Sequence, residues 1–400
     1  MKILIVTQHY WPENFRITDI AETLVSRGHE VTVLTGLPNY PEGYVKPEYK
    51  HGKNRSQTHN GVRIVRAFEL GRKRNVVNRI LNYYSFAHFG TKRIFKLKER
   101  YDVVLINELS PIMSSLPGVK YGAKKKIPVI MYEMDVWPEV LTAGGIKKES
   151  LVFKHYKKVS GKIYAGCDKI LCATEEHIKY IKALPECSNL DILYLPQYAE
   201  KLFEEDKMET LDNGIVDFMF AGNVGKAQSV KTIVKAANCL KNDRRFHFHI
   251  VGSGSALEDA RSLASSFGLE NITFHGRQSL DQMPSYYGLA DVMLVTLENK
   301  DYASMTLPGK IQSYMSYGKP ILASANGATA ALIKQSRCGI AVNAEDDAAL
   351  AEAAKQFLDK NRNIEYGINA KKWYQEHFRK DIFMVTLERA ITNVKRKSKA

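Results

Sequence analysis

Short apolar runs separated by helical stripes recur along the whole chain, beginning at its first residues. Residues 2–7 (KILIVT) have the length and β-branched content of a strand. After them Phe15, Ile17, Ile20, Ala21, Leu24 and Val25 fall on one helical stripe, and Gly28 stands where that helix should stop. Further strands are predicted at Val31–Thr35, Val62–Phe68, Val103–Asn107, Val129–Tyr132, Lys169–Ala173 and Ile192–Leu195. These runs are continuously apolar rather than alternating, as a parallel strand covered by helices on both faces requires. An acidic stretch, Glu204–Gly214, interrupts the rhythm. It resumes with strands predicted at Phe218–Ala221, Phe246–Val251, Ile272–His275, Val292–Thr296, Ile321–Ala323 and Ile340–Val342, and residues 362–396 read as helical and basic. The pattern specifies an α/β chain of two doubly wound parallel-sheet domains, residues 1–196 and 215–378, joined by a linker over 197–214. A basic helix, 379–400, is expected to pack back on the first domain. Two such units are expected to face each other across a cleft, with ligands beyond the carboxyl ends of the strands.

Charge narrows the partners. The net charge is +15, but residues 1–190 hold 31 Lys and Arg against 18 Asp and Glu, while residues 191–400 hold 27 against 25. Only the first half therefore calls for an anionic partner: nucleic acid, an anionic membrane surface or a phosphorylated substrate. Within it, residues 72–100 mix aromatic and basic side chains. As an amphipathic helix this segment would bury Val76, Ile80, Tyr83, Tyr84 and Phe86; as a membrane-surface patch, each Lys or Arg near anionic lipid would contribute about 1 kcal/mol. No apolar run approaches the roughly 20 residues that span a bilayer. The first apolar run ends at Trp11-Pro12-Glu13, too early for a secretory signal, so a cytoplasmic location is expected. Cys167, Cys172, Cys187, Cys239 and Cys338 contain no CxxC spacing, which argues against a zinc ribbon or a disulfide framework. His9, His88 and His155 lack metal-ligand spacing and read as structural or surface residues.

A dinucleotide fingerprint is missing. Gln8-His9-Tyr10-Trp11-Pro12 follows the first strand without a glycine, and Gly252-Ser253-Gly254 has Leu257 where a third glycine belongs. The second half instead offers two basic, glycine-containing helix starts. Gly222-Asn223-Val224-Gly225-Lys226-Ala227-Gln228 follows a strand and opens a helix, and Thr306-Leu307-Pro308-Gly309-Lys310 precedes another. Small residues, amides and a lysine at a helix N-terminus suit a phosphate; the alternative for each alone is a plain βα turn. Two in one domain fit a diphosphate.

The order of several motifs resembles glycosyltransferase family 4. They are Gly222-Asn223-x-Gly225-x-x-Gln228, His249-Ile250-Val251-Gly252-x-Gly254, Phe274-His275-Gly276-Arg277, Ala290-Asp291-Val292, and Pro308-Gly309-Lys310 with Tyr317-Gly318-Lys319-Pro320-Ile321. In the first half Tyr10-Trp11-Pro12-Glu13, Asp135-Val136-Trp137-Pro138-Glu139 and Leu195-Pro196-Gln197-Tyr198-Ala199-Glu200 look most like bacterial capsule and O-antigen enzymes of the fucosamine transferase type. The resemblance implies the GT-B fold and sugar transfer from a nucleotide donor with retention of anomeric configuration, needing no metal or other cofactor.

Carried over by position, the resemblance places the donor at Gly222, Asn223, Gln228, Gly252, Arg277, Thr306, Pro308, Gly309 and Ser313, with Lys226 and Lys310 stabilising the departing diphosphate. The family's Glu-x7-Glu pair falls here on Met305 and Ser313, and its usual Arg and Lys on Asn223 and Gln228. Glu298 is an alternative ribose contact, or a solvated loop acid. Glu133 or Asp135 occupies the region of the family's first-domain His and would accept a sugar hydroxyl's hydrogen bond or act as a base; for Asp135 the alternative is a helix cap. Glu13 and Asn14, after the first strand, are the acceptor-side candidates, with capping as the alternative. The expected reaction moves an N-acetylated or deoxy sugar from a UDP-sugar to a polyprenyl-diphosphate-linked saccharide at the inner membrane face, without nucleic acid as partner. The rival readings are a UDP-sugar epimerase of the same fold and a nucleic-acid-binding protein.

Overall fold

A computed structural model describes residues 1–40, 42–71, 76–205 and 213–396. The chain divides into two compact units, one built from Met1–Leu195 together with the chain from Met384 onwards, the other from Pro196–Phe383.

The sheet of the first unit contains β1 (Lys2–Val6), β2 (Glu30–Thr35), β3 (Ser56–His59), β4 (Val62–Arg66), β5 (Val103–Glu108), β6 (Val129–Glu133), β7 (Lys169–Cys172) and β8 (Asp191–Tyr194). Their order is β3-β4-β2-β1-β5-β6-β7-β8, parallel except where β3 runs against β4. Ile3, Leu4, Ile5 and Val6 are fully buried, because helices cover both faces of this central strand. The polar edge strand β3 (SQTH) has no apolar signature and was not expected. Its sequence signal is Asn60-Gly61, two positive-φ residues (46° and 78°) that suit a tight hairpin turn.

The second unit holds β9 (Val216–Ala221), β10 (Phe246–Val251), β11 (Ile272–Gly276), β12 (Val292–Thr296), β13 (Ile321–Ser324) and β14 (Gly339–Val342), ordered β11-β10-β9-β12-β13-β14 and parallel throughout. Phe218, Phe220, Phe248 and Ile250 fill the centre of its core.

Three expectations need correction. The first part of the expected linker belongs to the second unit: Tyr198, Ala199 and Phe203 are buried, and Phe203 stacks on Tyr287 at 4.7 Å. Residues 206–212 lie outside the described residues. The C-terminal helical region is two helices, Lys360–His377 and Lys380–Asn393, and the second crosses the division between units, which falls after Phe383 rather than 378. In the first unit its Glu388 meets Arg27 at 2.5 Å and His29 at 3.2 Å, and Arg396 beyond it meets buried Asp168 at 2.7 Å. In the helix Val76–Ile94, Phe86 is buried and Tyr83 partly so, but Ile80 and Tyr84 point to solvent. The side chain of Val76 lies outside the described residues.

Candidate active site

Two βα loops of the second unit lie directly on one another. Gly222, after β9, has φ +134°, and Gly252, after β10, has φ +144°, conformations that L side chains rarely adopt. A Cβ on Gly252 would stand 1.8 Å from the Gly222 carbonyl oxygen, so only glycine permits this approach. Backbone bonds lock the pair: Gly222 N donates to Val251 O (2.9 Å), Val224 N to Ser253 O (3.0 Å) and Gly252 N to Gly276 O (2.8 Å). The Tyr314 hydroxyl reinforces the edge, accepting from Ala221 N (3.0 Å) and donating to Ala221 O (3.1 Å).

The rest of the first loop is held from β12. Thr296 Oγ1 donates to Gln228 O at 2.5 Å, and Glu298 N donates to Ala227 O at 3.0 Å. The turn Lys226–Gln228 and Ser229, at φ +41°, then lead into the helix Val230–Cys239. Lys226 and Asn223 are exposed, while the Gln228 side-chain oxygen is buried without a hydrogen-bond partner among the described residues.

Lys310, the first residue of the helix Lys310–Tyr317, reaches the same place. Its Nζ sits 3.5 Å from the centre of the Phe220 ring, and both Cε and Nζ lie 3.4 Å from where a Cβ on Gly222 would be. The nitrogen is buried with no hydrogen-bond acceptor among the described residues. Burial alone lowers its pKa to about 7. A buried amine and a buried amide oxygen, both unsatisfied beside glycine loops, are sites a polar ligand completes.

Lys310 is thus brought against Gly222, and Gly222 against Gly252. Thr306, Pro308 and Gly309 form the approach to Lys310: Thr306 Oγ1 donates to Tyr302 O (2.9 Å), and Ile311 N to Pro308 O (3.0 Å). Arg277 is exposed on the loop after β11. Glu298 is not a free loop acid; it accepts from the Tyr302 hydroxyl at 2.6 Å. Ser313 is buried and donates to Glu200 Oε2 at 3.2 Å. A carboxylate therefore stands beside the position that lacks its glutamate, supplied from the segment ahead of β9. Sequence reading quoted Glu200 within a motif without giving it a role.

In the first unit the candidates are more deeply placed than expected. Glu13 is buried, accepting from Asn39 N (2.7 Å) and Tyr40 N (2.6 Å) through one oxygen and meeting His9 Nδ1 (3.0 Å) with the other. Its expected acceptor role gives way to holding the loop after β2; Asn14 beside it is exposed. Glu133 is also fully buried and meets His177 Nδ1 at 2.9 Å. Burial opposes a charge on His177, but the Glu133 carboxylate, with Asp135 and Glu176, outweighs it and the imidazole pKa is raised. Glu133 is therefore buried against His177 instead of lying open at the strand end. Asp135 is partly exposed and accepts from Ser110 N at 3.0 Å, capping a loop rather than a helix.

Glu108, which sequence reading missed, ends β5 in register with Glu133. It accepts from Met134 N (3.4 Å) and Asp135 N (3.3 Å). Burial, then the Asp135 and Glu133 carboxylates, raise its pKa well above the usual range. Protonation of Glu108 removes its repulsion by the other two acids at these strand ends.

A family model described as Glycosyltransferase Family 4 matches residues 14–192, and one described as Glycosyl transferases group 1 matches residues 216–360. The chain is 24% identical to a putative colanic acid biosynthesis glycosyl transferase, WcaI, of Escherichia coli K12, over 90% of this chain and 92% of that protein. Its fold resembles sucrose-phosphate synthase from Thermosynechococcus elongatus, with a TM-score of 0.73 at 15% identity, covering 98% of each chain. It also resembles Anabaena HepE in complex with UDP and glucose, with a TM-score of 0.70 at 12% identity, over 98% of this chain and 100% of that one.

Proposed function

Since the chain belongs to the glycosyltransferases of GT-B fold, a family 4 domain preceding a group 1 domain, we propose that it moves a sugar from a UDP-sugar to a polyprenyl-diphosphate-linked saccharide with retention. The observation that carries the donor half of this reading is the Lys310 amine, buried without an acceptor beside the Gly222 and Gly252 loops. A diphosphate placed there gains an ammonium, loop amides and the nearby exposed Lys226, so the reading assigns charge stabilisation of the leaving group to the chain itself and no metal to the step. The HepE complex with UDP supports uridine as the nucleotide. Glu200, held by Ser313, is assigned the ribose hydroxyls. Asp135 is assigned to the acceptor side, with Glu108, Glu133 and His177 fixing its surroundings. The name of the E. coli relative supports a place in bacterial polysaccharide synthesis; the transferred unit is proposed to be an N-acetylated or deoxy sugar.

A lipid-linked acceptor requires a surface that meets lipid. None of the described helices is long and apolar enough to cross a membrane. The first unit instead exposes Ile80, Leu81, Tyr84 and Phe89 on the helix Val76–Ile94 and Leu151 and Val152 on Leu151–Ala165, and a bond of 3.0 Å between the Tyr84 and Tyr156 hydroxyls joins the two helices. Lys92, Lys154, Lys157 and Lys158 are exposed on the same helices. Apolar tips among lysines suit peripheral contact with an anionic membrane from the cytoplasmic side.

Thermal shift against UDP-, GDP- and TDP-sugars, followed by transfer to lipid-linked saccharides, tests the reading. Stabilisation by UDP compounds and acceptor-dependent turnover are expected, with turnover falling about 100-fold or more in Lys310→Ala while the fold is kept. No response to any UDP compound sinks the donor assignment. Conversion of a UDP-sugar without acceptor would mark an epimerase.

A further inference from the structure

Lys310 has a nitrogen that the fold has taken out of water and left without an acceptor among the described residues. Its surroundings are nearly free of charge. From β9 and its loop it is faced by Phe220 and Gly222, neither of which titrates. On its own helix, Tyr314 spends its hydroxyl on Ala221, and Ser313 donates to Glu200. Lys226 is exposed in the turn after the loop. None of these groups displaces the Lys310 pKa; burial alone brings it to about 7. An ammonium without a counter-charge is costly in such a place, and the neutral amine is the form the empty site favours above neutrality.

We propose that the nucleoside diphosphate enters together with a proton: its charge beside Gly222 converts the Lys310 amine to an ammonium, so donor binding and proton uptake are one event. The proposal rests on the donor-site reading above. The balance is simple. The amine takes one proton from solvent when the anion arrives, no other bond changes, and the proton returns to solvent when the nucleotide leaves. The empty enzyme thereby holds no stranded charge, and the full electrostatic contact exists only with an anion in place. Linkage fixes the sign. The free pKa lies near neutrality and the bound pKa above it, so affinity is full below neutrality and falls as pH rises, approaching tenfold per pH unit until the bound pKa is reached.

UDP alone is the probe. Calorimetric titration of the full chain at pH 8, in HEPES and in Tris, counts protons from the difference in buffer ionisation heat. Uptake of about 0.9 proton per UDP is expected, with affinity falling close to tenfold between pH 8 and pH 9. In Lys310→Met, whose stem fills the same apolar slot, both effects should vanish and binding should weaken; a thermal melt checks its fold. If that variant binds too weakly to titrate, Lys310→Arg keeps a fixed charge and should bind without proton uptake. UDP binding to the natural chain with no proton uptake, or uptake that persists in either variant, overturns the linkage and leaves the donor site standing. Failure of UDP to bind at all overturns the donor reading and the linkage with it.

Discussion

Glu69 shows how far a single buried group can set the pH behaviour of this chain. Its Oε1 accepts from Gln8 (2.7 Å), Asn82 (2.6 Å) and Asn39 (3.3 Å), while Oε2 lies against Gly36 with no hydrogen-bond partner among the described residues. Burial raises its pKa to about 7, against weaker lowering by His9 and the Gln8 and Asn82 amides. A carboxyl raised on folding contributes stability at low pH that is lost as pH climbs from about 4.5 to 7. Glu69→Gln should therefore raise the stability of the first unit at pH 8 by up to about 3 kcal/mol and leave it almost unchanged at pH 4, read by chemical denaturation at both values. Glu200→Gln makes the opposite kind of prediction. It keeps an acceptor for Ser313 but removes the charge, so donor KM should rise about tenfold with kcat nearly unchanged, measured by initial rates. An unchanged KM would remove Glu200 from the ribose contact. Neither residue was legible as functional in the sequence. Glu69 stands among exposed-looking loop residues, and Glu200 replaces, from a distant segment, an acid that motif spacing looks for within the helix Lys310–Tyr317.

Elements were read more successfully than residues, for a physical reason. Continuous apolar runs such as Val103–Asn107 and Phe246–Val251 carry their own burial pattern, so the strands of both sheets were found to within a residue or two. The edge strand β3 was missed because it buries little and is made by pairing with β4. The Gly222 loop was read as small and basic and Gly252-Ser253-Gly254 as an incomplete dinucleotide fingerprint, but their contact depends on neighbouring parallel strands, which spacing along one chain does not encode. That contact yields the sharpest test at this scale. In Gly252→Ala the new Cβ would collide with the Gly222 carbonyl, and the backbone would be held at φ +144°. A loss of about 2 kcal/mol or more is expected in the second unit, together with loss of UDP stabilisation in a thermal melt. A neutral Gly252→Ala would show that the two loops do not need to touch.

At the scale of the whole molecule, the expected roles fall on different units, and hydrogen exchange can read them separately. UDP at 100 times its Kd stabilises whatever it binds by about 2.7 kcal/mol. Amide protection should rise within Pro196–Phe383, above all around β9, β10 and the helix Lys310–Tyr317, whereas anionic liposomes should protect the helices Val76–Ile94 and Leu151–Ala165. UDP protection confined to the first unit would reverse the assignment. The charge asymmetry and the basic, aromatic segment 72–100 are what the sequence offers towards this expected division; Ile80 and Tyr84, which the amphipathic-helix reading buries, are exposed.

The first unit is made from both ends of the chain. It holds the first strand and also the stretch from Met384, whose Glu388 and Arg396 meet Arg27, His29 and Asp168. On the ribosome Glu388 and Arg396 emerge only after the whole of the second unit. The second unit can finish folding while its elder neighbour still waits for Glu388 and Arg396. A chain broken off before Met384 would keep most of the second unit but lack the clasp of the unit synthesised first.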